Sequence, residues 1–390
     1  MRQWPVRIGL DTKRNFSRWK FDLRERLLIH RPYHHRISLW YHCFLADSTT
    51  IMSNRSSLTA PSLHILFWLT SPFLIQAFDP PSVFPVSVRQ ALVDKSKELY
   101  KESQPYTTAG WSNRAATPLT PVSPQGIYTA DRPFLWNTID VGCRGTIIEL
   151  PSDNEKPDLW VHAPVGLDGP LRQALQQLGT VKHVVSPNYE HVKFAPEWSL
   201  SFPDVYFWGC PGLMERVEQV KWTGEVPYNY RPPSWTGTPS KADPLPKDMW
   251  DTDTLQALHL NMEHNPFTGK PFFNEVIYYH VPSKTLLTTD LFWNYPAKDG
   301  VPNSEFGRND AWELAPMVDM PWKSLFWKTV MDDVYYPFFN AFMIKDRDAY
   351  REIAHHILNV WDVETVIPAH GDILRGKDFI KKVLKEYFKV

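Results

Sequence analysis

From Gly126 onward the chain alternates short apolar runs with polar turns, a pattern of strands with occasional helices. The runs "GIYTADRPFLW" and "RGTIIELP" predict two strands, and "DLWVHAPV", after the turn "SDNEKP", predicts the next strand of a hairpin. In "GPLRQALQQLG", Leu171, Ala174, Leu175 and Leu178 fall on one helical face, and Gly179 supplies the stop. "VKHVV" is a buried strand running into Ser186, followed by a helix in "FAPEWSLSF" and a strand in "VYFWG". A Pro-, Trp- and Tyr-rich loop covers 221–250. Three closely spaced strands come next, "TLQALHLNM", "FNEVIYYHV" and "TLLTTDLF", with turns at "PFTGKP" and "PSK". An aromatic helical region from Trp322 to Met343 precedes "DAYREIAHHILNVW", where Tyr350, Ile353, Ala354, Ile357, Leu358 and Trp361 keep helical spacing. The strand "TVIPAHGD" ends in a His-Gly turn, and a basic amphipathic helix closes the chain. This order suits two sheets packed face to face with helices outside, although periodicity alone does not separate it from other α/β layerings.

Upstream of Gly126 the pattern changes twice. Residues 104–125 are rich in Pro, Ser and Thr and predict a linker, and Val88, Ala91, Leu92, Lys95 and Leu99 fit one face of a short helix before it. Residues 1–44 carry many Arg and Lys without clean periodicity. From Met52 the chain has the form of a secretory signal: Arg55, an apolar stretch from Leu63 to Ile75, and a small residue at Ala77. Thr70, Ser71 and Pro72 interrupt that stretch, which argues for a cleaved signal over an uncleaved anchor formed by 63–77. "QAF-DPP" is similar to the junction of signal and plastid transit peptide in algae with complex plastids, but Asp79, Asp94, Glu98 and Glu102 are more acidic than such a peptide requires. The expected division is a leader at 1–77, a helix and Pro/Ser-rich linker at 78–125, and a folded domain at 126–390. Entry to the secretory pathway, with a plastid as destination, is the expected route, and no membrane span remains in the mature protein.

Composition narrows the function classes. Apolar residues at 43% and charged residues at 22% fit a packed globular core, and a net charge of −1 supplies no basic footprint for nucleic acid or an anionic membrane. Cys43, Cys143 and Cys210 are scattered and make neither a disulfide framework nor a zinc-finger pattern. The default role for Cys210, in "WGCPG", is that of a small apolar residue.

Three ordered motifs, "LWVHAPVGLDGPLRQALQQLGTVKHVVSPNYEH", "FNEVIYYHVPSKTLLTTDLFWN" and "VIPAHGD", resemble a branch of the metallo-β-lactamase-fold superfamily, domain-of-unknown-function family 4336 of plants, algae and bacteria. The resemblance spans about 120–385. It implies a four-layer αββα sandwich of the metallo-hydrolase/oxidoreductase type, with ligands on loops at one edge of the sheets. Active superfamily members carry His-x-His-x-Asp-His after the helix-strand unit. In register, His191 is the last histidine, Glu190 takes the Asp position, and Ser186 and Asn188 replace the first two histidines. Asp290 matches the later bridging Asp, and His370 the final His. The middle histidine has no convincing counterpart, since His264, the nearest, lies in a hairpin turn. By this resemblance the first metal half is vacated at Ser186 and Asn188. Glu190, His191, Asp290 and His370 are left for one zinc, iron or manganese ion, or for none.

Each residue also has a structural reading. Asn188 can cap a turn, His191 can pair with Asp290, Glu190 can point to solvent through its extra methylene, Asp290 can cap its loop, and His370 can pack on the sheet edge. His162, His183, His280 and the pair His355–His356 have no recruiting spacing and are expected in the core or at the surface. Two function classes stay open. One is a mononuclear metal-dependent hydrolase in which His191, Asp290 and His370 hold the ion and Glu190 ligates or acts as base, with the 222–250 aromatics walling a pocket for an unidentified small molecule. The other is a catalytically silent scaffold or ligand-binding protein.

Overall fold

The computed structural model describes residues 111–113, 117–136, 138–295 and 320–390. The leader and the helix expected at 88–99 lie outside the described residues.

Seven strands form the first sheet: β1 (Thr120–Ser123), β2 (Ile127–Arg132), β5 (Cys143–Leu150), β6 (Asp158–His162), β7 (Thr180–Ser186), β8 (Tyr206–Gly209) and β9 (Gly224–Glu225), in that spatial order. Pairing is antiparallel from β1 to β6 and parallel from β6 to β9. The switch falls where helix α1 (Gly169–Leu178) supplies the crossover that parallel neighbours need. A two-stranded flap, β3 (Leu135–Trp136) with β4 (Ile139–Asp140), stands apart. The second sheet has five strands: β10 (Leu255–His259), β11 (Val276–His280), β12 (Thr285–Thr288), β13 (Thr365–Pro368) and β14 (Leu374–Arg375). Its one parallel pair is β12 with β13.

Period-two alternation sorts the strand residues into three cores. Trp160 of β6 and Val185 of β7 face Tyr278 of β11, Leu287 of β12 and Ile367 of β13, so this cluster lies between the sheets. On the other face of the first sheet, Leu159, Val161 and Val184 pack under Leu171 and Leu175 of α1 and Trp198 of α2 (Ala195–Ser201). Ile277 and Tyr279 of β11, with Val366, pack under Ile353, Ile380 and Leu384. Those last three belong to helices α4 (Arg347–His355) and α5 (Lys377–Phe388), numbered after the one-turn α3 (Leu213–Arg216). The layer order is therefore αββα. Strands buried on both faces read as near-continuous apolar runs.

The expected elements appear with three corrections. The 104–125 linker is too long by its last residues, because Thr120 and Pro121 pair with Thr129 and Tyr128 as an edge strand that tolerates proline. "GIYTADRPFLW" is two strands, broken at Pro133, which cannot donate to a ladder. The 222–250 aromatics are largely spent on packing: Trp250 is buried between the sheets against Trp160 (5.3 Å between ring centroids), while Trp235 stacks near His356 and Arg231. The aromatic helix Trp322–Val330 runs on through two π-helical turns, Met331–Tyr335 and Phe339–Met343. Among the described residues, no helix is long and apolar enough to cross a membrane.

Candidate metal centre

His191, Asp290 and His370 lie in the loops that follow β7, β12 and β13, and the strand order brings those loops to one edge. Among the described residues they form the one cluster of three groups able to share an ion. His191 Nε2 stands 3.2 Å from His370 Nε2 and 3.3 Å from Asp290 Oδ2, and His370 Nε2 stands 3.8 Å from Asp290 Oδ1. Two ligands each about 2.0–2.2 Å from a shared ion at tetrahedral angles stand roughly 3.3–3.6 Å apart, so these edges bracket one coordination polyhedron. Side-chain exposure of 7%, 13% and 14% leaves the cluster lined by protein yet reachable from solvent.

Each group is held from behind. His370 Nδ1 lies 2.7 Å from the Gly142 carbonyl, an acceptor only, so Nδ1 carries the proton and Nε2 presents its lone pair to the cluster. The His370 turn is fixed on two sides. Asn294 donates its N–H to the His370 carbonyl (3.0 Å) and its side-chain amide to the Asp372 carbonyl (3.0 Å). From the first sheet, the buried Arg144 guanidinium donates to the Pro368 and Gly371 carbonyls (3.0 and 2.7 Å) while bound to Asp131 at 2.7 Å. Gly371 has φ +89°, and a Cβ there would collide with the Asn294 carbonyl, so glycine is required.

Asn188, fully buried, serves both neighbouring loops. Its Oδ1 accepts the N–H groups of Glu190 (3.0 Å) and His191 (2.8 Å), the turn-capping role open to it from sequence. Its amide donates to Asp290 Oδ2 (2.6 Å) and Thr289 Oγ1 (3.0 Å). An amide fills the place of the second superfamily histidine and offers the cluster donors rather than a lone pair. Ser186 is buried, with its hydroxyl lacking a hydrogen-bond partner. Neither residue supplies an imidazole to a second ion. Glu190 is not one of the three grouped donors; it is exposed by surface area, and desolvation and the nearby Asp290 raise its carboxyl to about 7. His264 donates to the Met343 carbonyl and fills no ligand position.

Electrostatics separates the two imidazoles. Burial opposes charge on His191, but Asp290 beside it, and hydrogen bonds to Asp290 and Cys143, hold it well above the usual histidine range. Burial and the neighbouring His191 push His370 down to about 4. Burial works against ionisation of Asp290, yet His191, His370 and the Asn188 amide hold it below its ordinary value. These shifts favour a proton on His191, a neutral His370 and an ionised Asp290. The remaining histidines fall where expected: His162, His183 and His280 are buried core residues, as is His356. Cys210 is fully buried, and burial pushes its thiol up, in keeping with an apolar role.

Sequence reasoning did not single out Arg144, Gly142 and Cys143. Arg144 left a signal, as a cation at the head of the apolar run "RGTIIELP" with Asp131 in the preceding strand. Gly142 acts through its carbonyl, which leaves none.

Residues 124–302 match the family described as "Domain of unknown function (DUF4336)", a span that includes His191 and Asp290 and ends before His370. No curated protein matches the chain. Among solved structures, a metallo-β-lactamase from Hirschia baltica is 10% identical, with 69% of this chain and 96% of that chain covered and a TM-score of 0.39. The metallo-β-lactamase FIM-1 from Pseudomonas aeruginosa, in its mono-zinc form, is 9% identical, with 74% and 98% covered and a TM-score of 0.38. One from Pontibacter korlensis is 13% identical, with 68% and 98% covered and a TM-score of 0.35. At that distance the αββα assignment rests on the layer order itself. Residues 124–302 are thus similar to the DUF4336 family, within a chain whose described sheets and helices form an αββα sandwich.

Proposed function

We propose that this protein is a mononuclear metal-dependent hydrolase whose ion is held by His191, Asp290 and His370. The observation that carries the reading is the convergence of three donor atoms with ligand-like spacing, one of them forced into its lone-pair tautomer by the Gly142 carbonyl. The donor set fits zinc, with iron or manganese as alternatives, because two imidazoles and a carboxylate suit any of these. Three protein ligands leave a coordination position open, the arrangement of catalytic rather than structural sites. An ion there supplies Lewis acidity to a substrate oxygen.

The chain's own residues do the rest. Asn188 and Arg144 fix the ligand loops, Gly142 sets the His370 tautomer, and Glu190, exposed beside His191, is placed to exchange protons with solvent. With Ser186 and Asn188 in the other half, clamping of attacking and leaving oxygens between two ions is not available. The competing reading, a silent scaffold, is favoured by one observation: His191, Asp290 and Asn188 satisfy one another without an ion. The two are separated by assaying the zinc-, iron- and manganese-loaded protein against chromogenic esters, phosphodiesters and β-lactams. The hydrolase reading expects turnover of at least one class, abolished by chelation and restored by the ion. No turnover of any class with a loaded site would favour the scaffold.

We also propose that residues 1–77 form a leader that is removed on entry to the secretory pathway, in keeping with the apolar stretch ending at Ala77. N-terminal sequencing of the natural protein is expected to begin near Phe78, and finding residues 1–50 on the stable protein would refute cleavage.

A further inference from the structure

We infer that Glu275, a buried carboxylate outside the ligand set, is the positioning residue that holds both the Asp290 and the His191 loops in register. This rests on the metal-site reading above.

Glu275 immediately precedes β11 and is 2% exposed, a costly place for a carboxylate unless its oxygens are satisfied. They are satisfied by the backbone on either side of Asp290. Oε1 accepts the Thr289 N–H at 2.6 Å, and Oε2 accepts the Leu291 N–H at 2.7 Å. The two amides bracketing the ligand residue are thus pinned to one rigid group, which fixes where the Asp290 side chain leaves the chain.

The same carboxylate reaches the other loop through a relay. Thr289, whose N–H Glu275 accepts, also accepts from the Asn188 amide at its Oγ1 (3.0 Å). Asn188 in turn holds the His191 N–H at 2.8 Å and donates to Asp290 at 2.6 Å. One carboxylate therefore ties together two ligands that lie about a hundred residues apart in sequence. Partners of this kind, which orient ligating groups, typically change metal affinity by about 10–100-fold when removed.

Replacing Glu275 by Gln keeps the size but leaves an NH₂ group facing one of the two backbone N–H donors, so one clamp is lost. The control is Asp158→Asn, which removes a buried carboxylate paired with Lys182 at the start of β6. Zinc affinity of the full-length chain, measured by competition with a chromophoric chelator, is expected to fall at least tenfold in Glu275→Gln and to stay within about twofold in Asp158→Asn. Circular dichroism reports whether each variant is folded. If Glu275→Gln does not fold, Thr289→Val, which cuts the relay but leaves the backbone amides in place, is expected to weaken zinc binding about tenfold. A folded Glu275→Gln with wild-type affinity, or an unaltered Thr289→Val where Glu275→Gln fails to fold, would overturn the inference while leaving the metal reading standing. A wild-type chain that binds none of zinc, iron and manganese would overturn both.

Discussion

Burial and near neighbours decide how His191 and His370 differ in protonation: Asp290 raises the one, whereas burial and the adjacent His191 lower the other. The metal-free cluster carries a proton on His191 that an ion must displace, since its pKa is raised, whereas His370, pushed down to about 4, is already neutral. Zinc binding near neutral pH should therefore release a proton and tighten as pH rises towards the His191 pKa. Calorimetry in buffers of different ionisation enthalpy checks this, and binding without proton release would contradict the charge assignment. At this scale the sequence was informative about residue types: His191, Asp290 and His370 could be named from motif register. Direction was less legible. Glu190 and His191 are adjacent and both donate their N–H groups to Asn188, yet His191 alone joins the grouped donors. Glu275 could have been flagged as a charge heading the apolar run "VIYYHV", a position that seldom suits a carboxylate without partners.

Elements set the cluster by where they stop. β7, β12 and β13 end at the same edge, and the turn after β13 depends on Gly371. Gly371→Ala would place a methyl group against the Asn294 carbonyl in a backbone conformation that L-residues avoid, so the His370 turn must move. We expect this variant to lose stoichiometric metal while His264→Ala, at a hairpin turn, keeps it, with metal analysis of both as the check. Retention of metal by Gly371→Ala would mean that the turn is not what positions His370. Helices and central strands were legible because their apolar periods are strong. The edge strand β1 was not, because a four-residue strand containing Pro121 reads as linker until its pairing with β2 is known. The Trp-rich segment was misleading for a related reason. Tryptophans suit both a ligand wall and a core, and only the sheet packing shows Trp250 in the core.

Among the described residues, five buried histidines are held neutral, and stability should report them. Burial lowers His183, His259, His280 and His356 to about 4 and His162 to about 3, whereas unfolded histidine titrates near 6.5. Between these values these histidines bind more protons in the unfolded chain than in the folded one, so their contribution to stability is full above about pH 6.5 and is lost as pH drops towards 4. Each such histidine contributes about 1.4 kcal/mol per pH unit within that window. His191, and Asp168, Glu190, Glu263 and Glu275, whose carboxyls burial raises to about 7, act in the opposite sense, so the histidine contribution is read by difference. Urea unfolding at pH 7.5, 6.0 and 5.0 should show His259→Gln gaining stability relative to the wild-type chain as pH falls; a wild-type-minus-variant difference that does not change with pH would contradict the buried neutral state of His259. The central claim, one ion held by three residues on the edge of this sandwich, is tested most directly by elemental analysis of the purified chain beside His191→Ala/His370→Ala. The account predicts one zinc, iron or manganese ion per wild-type chain and none in the double variant. Two ions in the wild type, or unchanged content in the double variant, would contradict it.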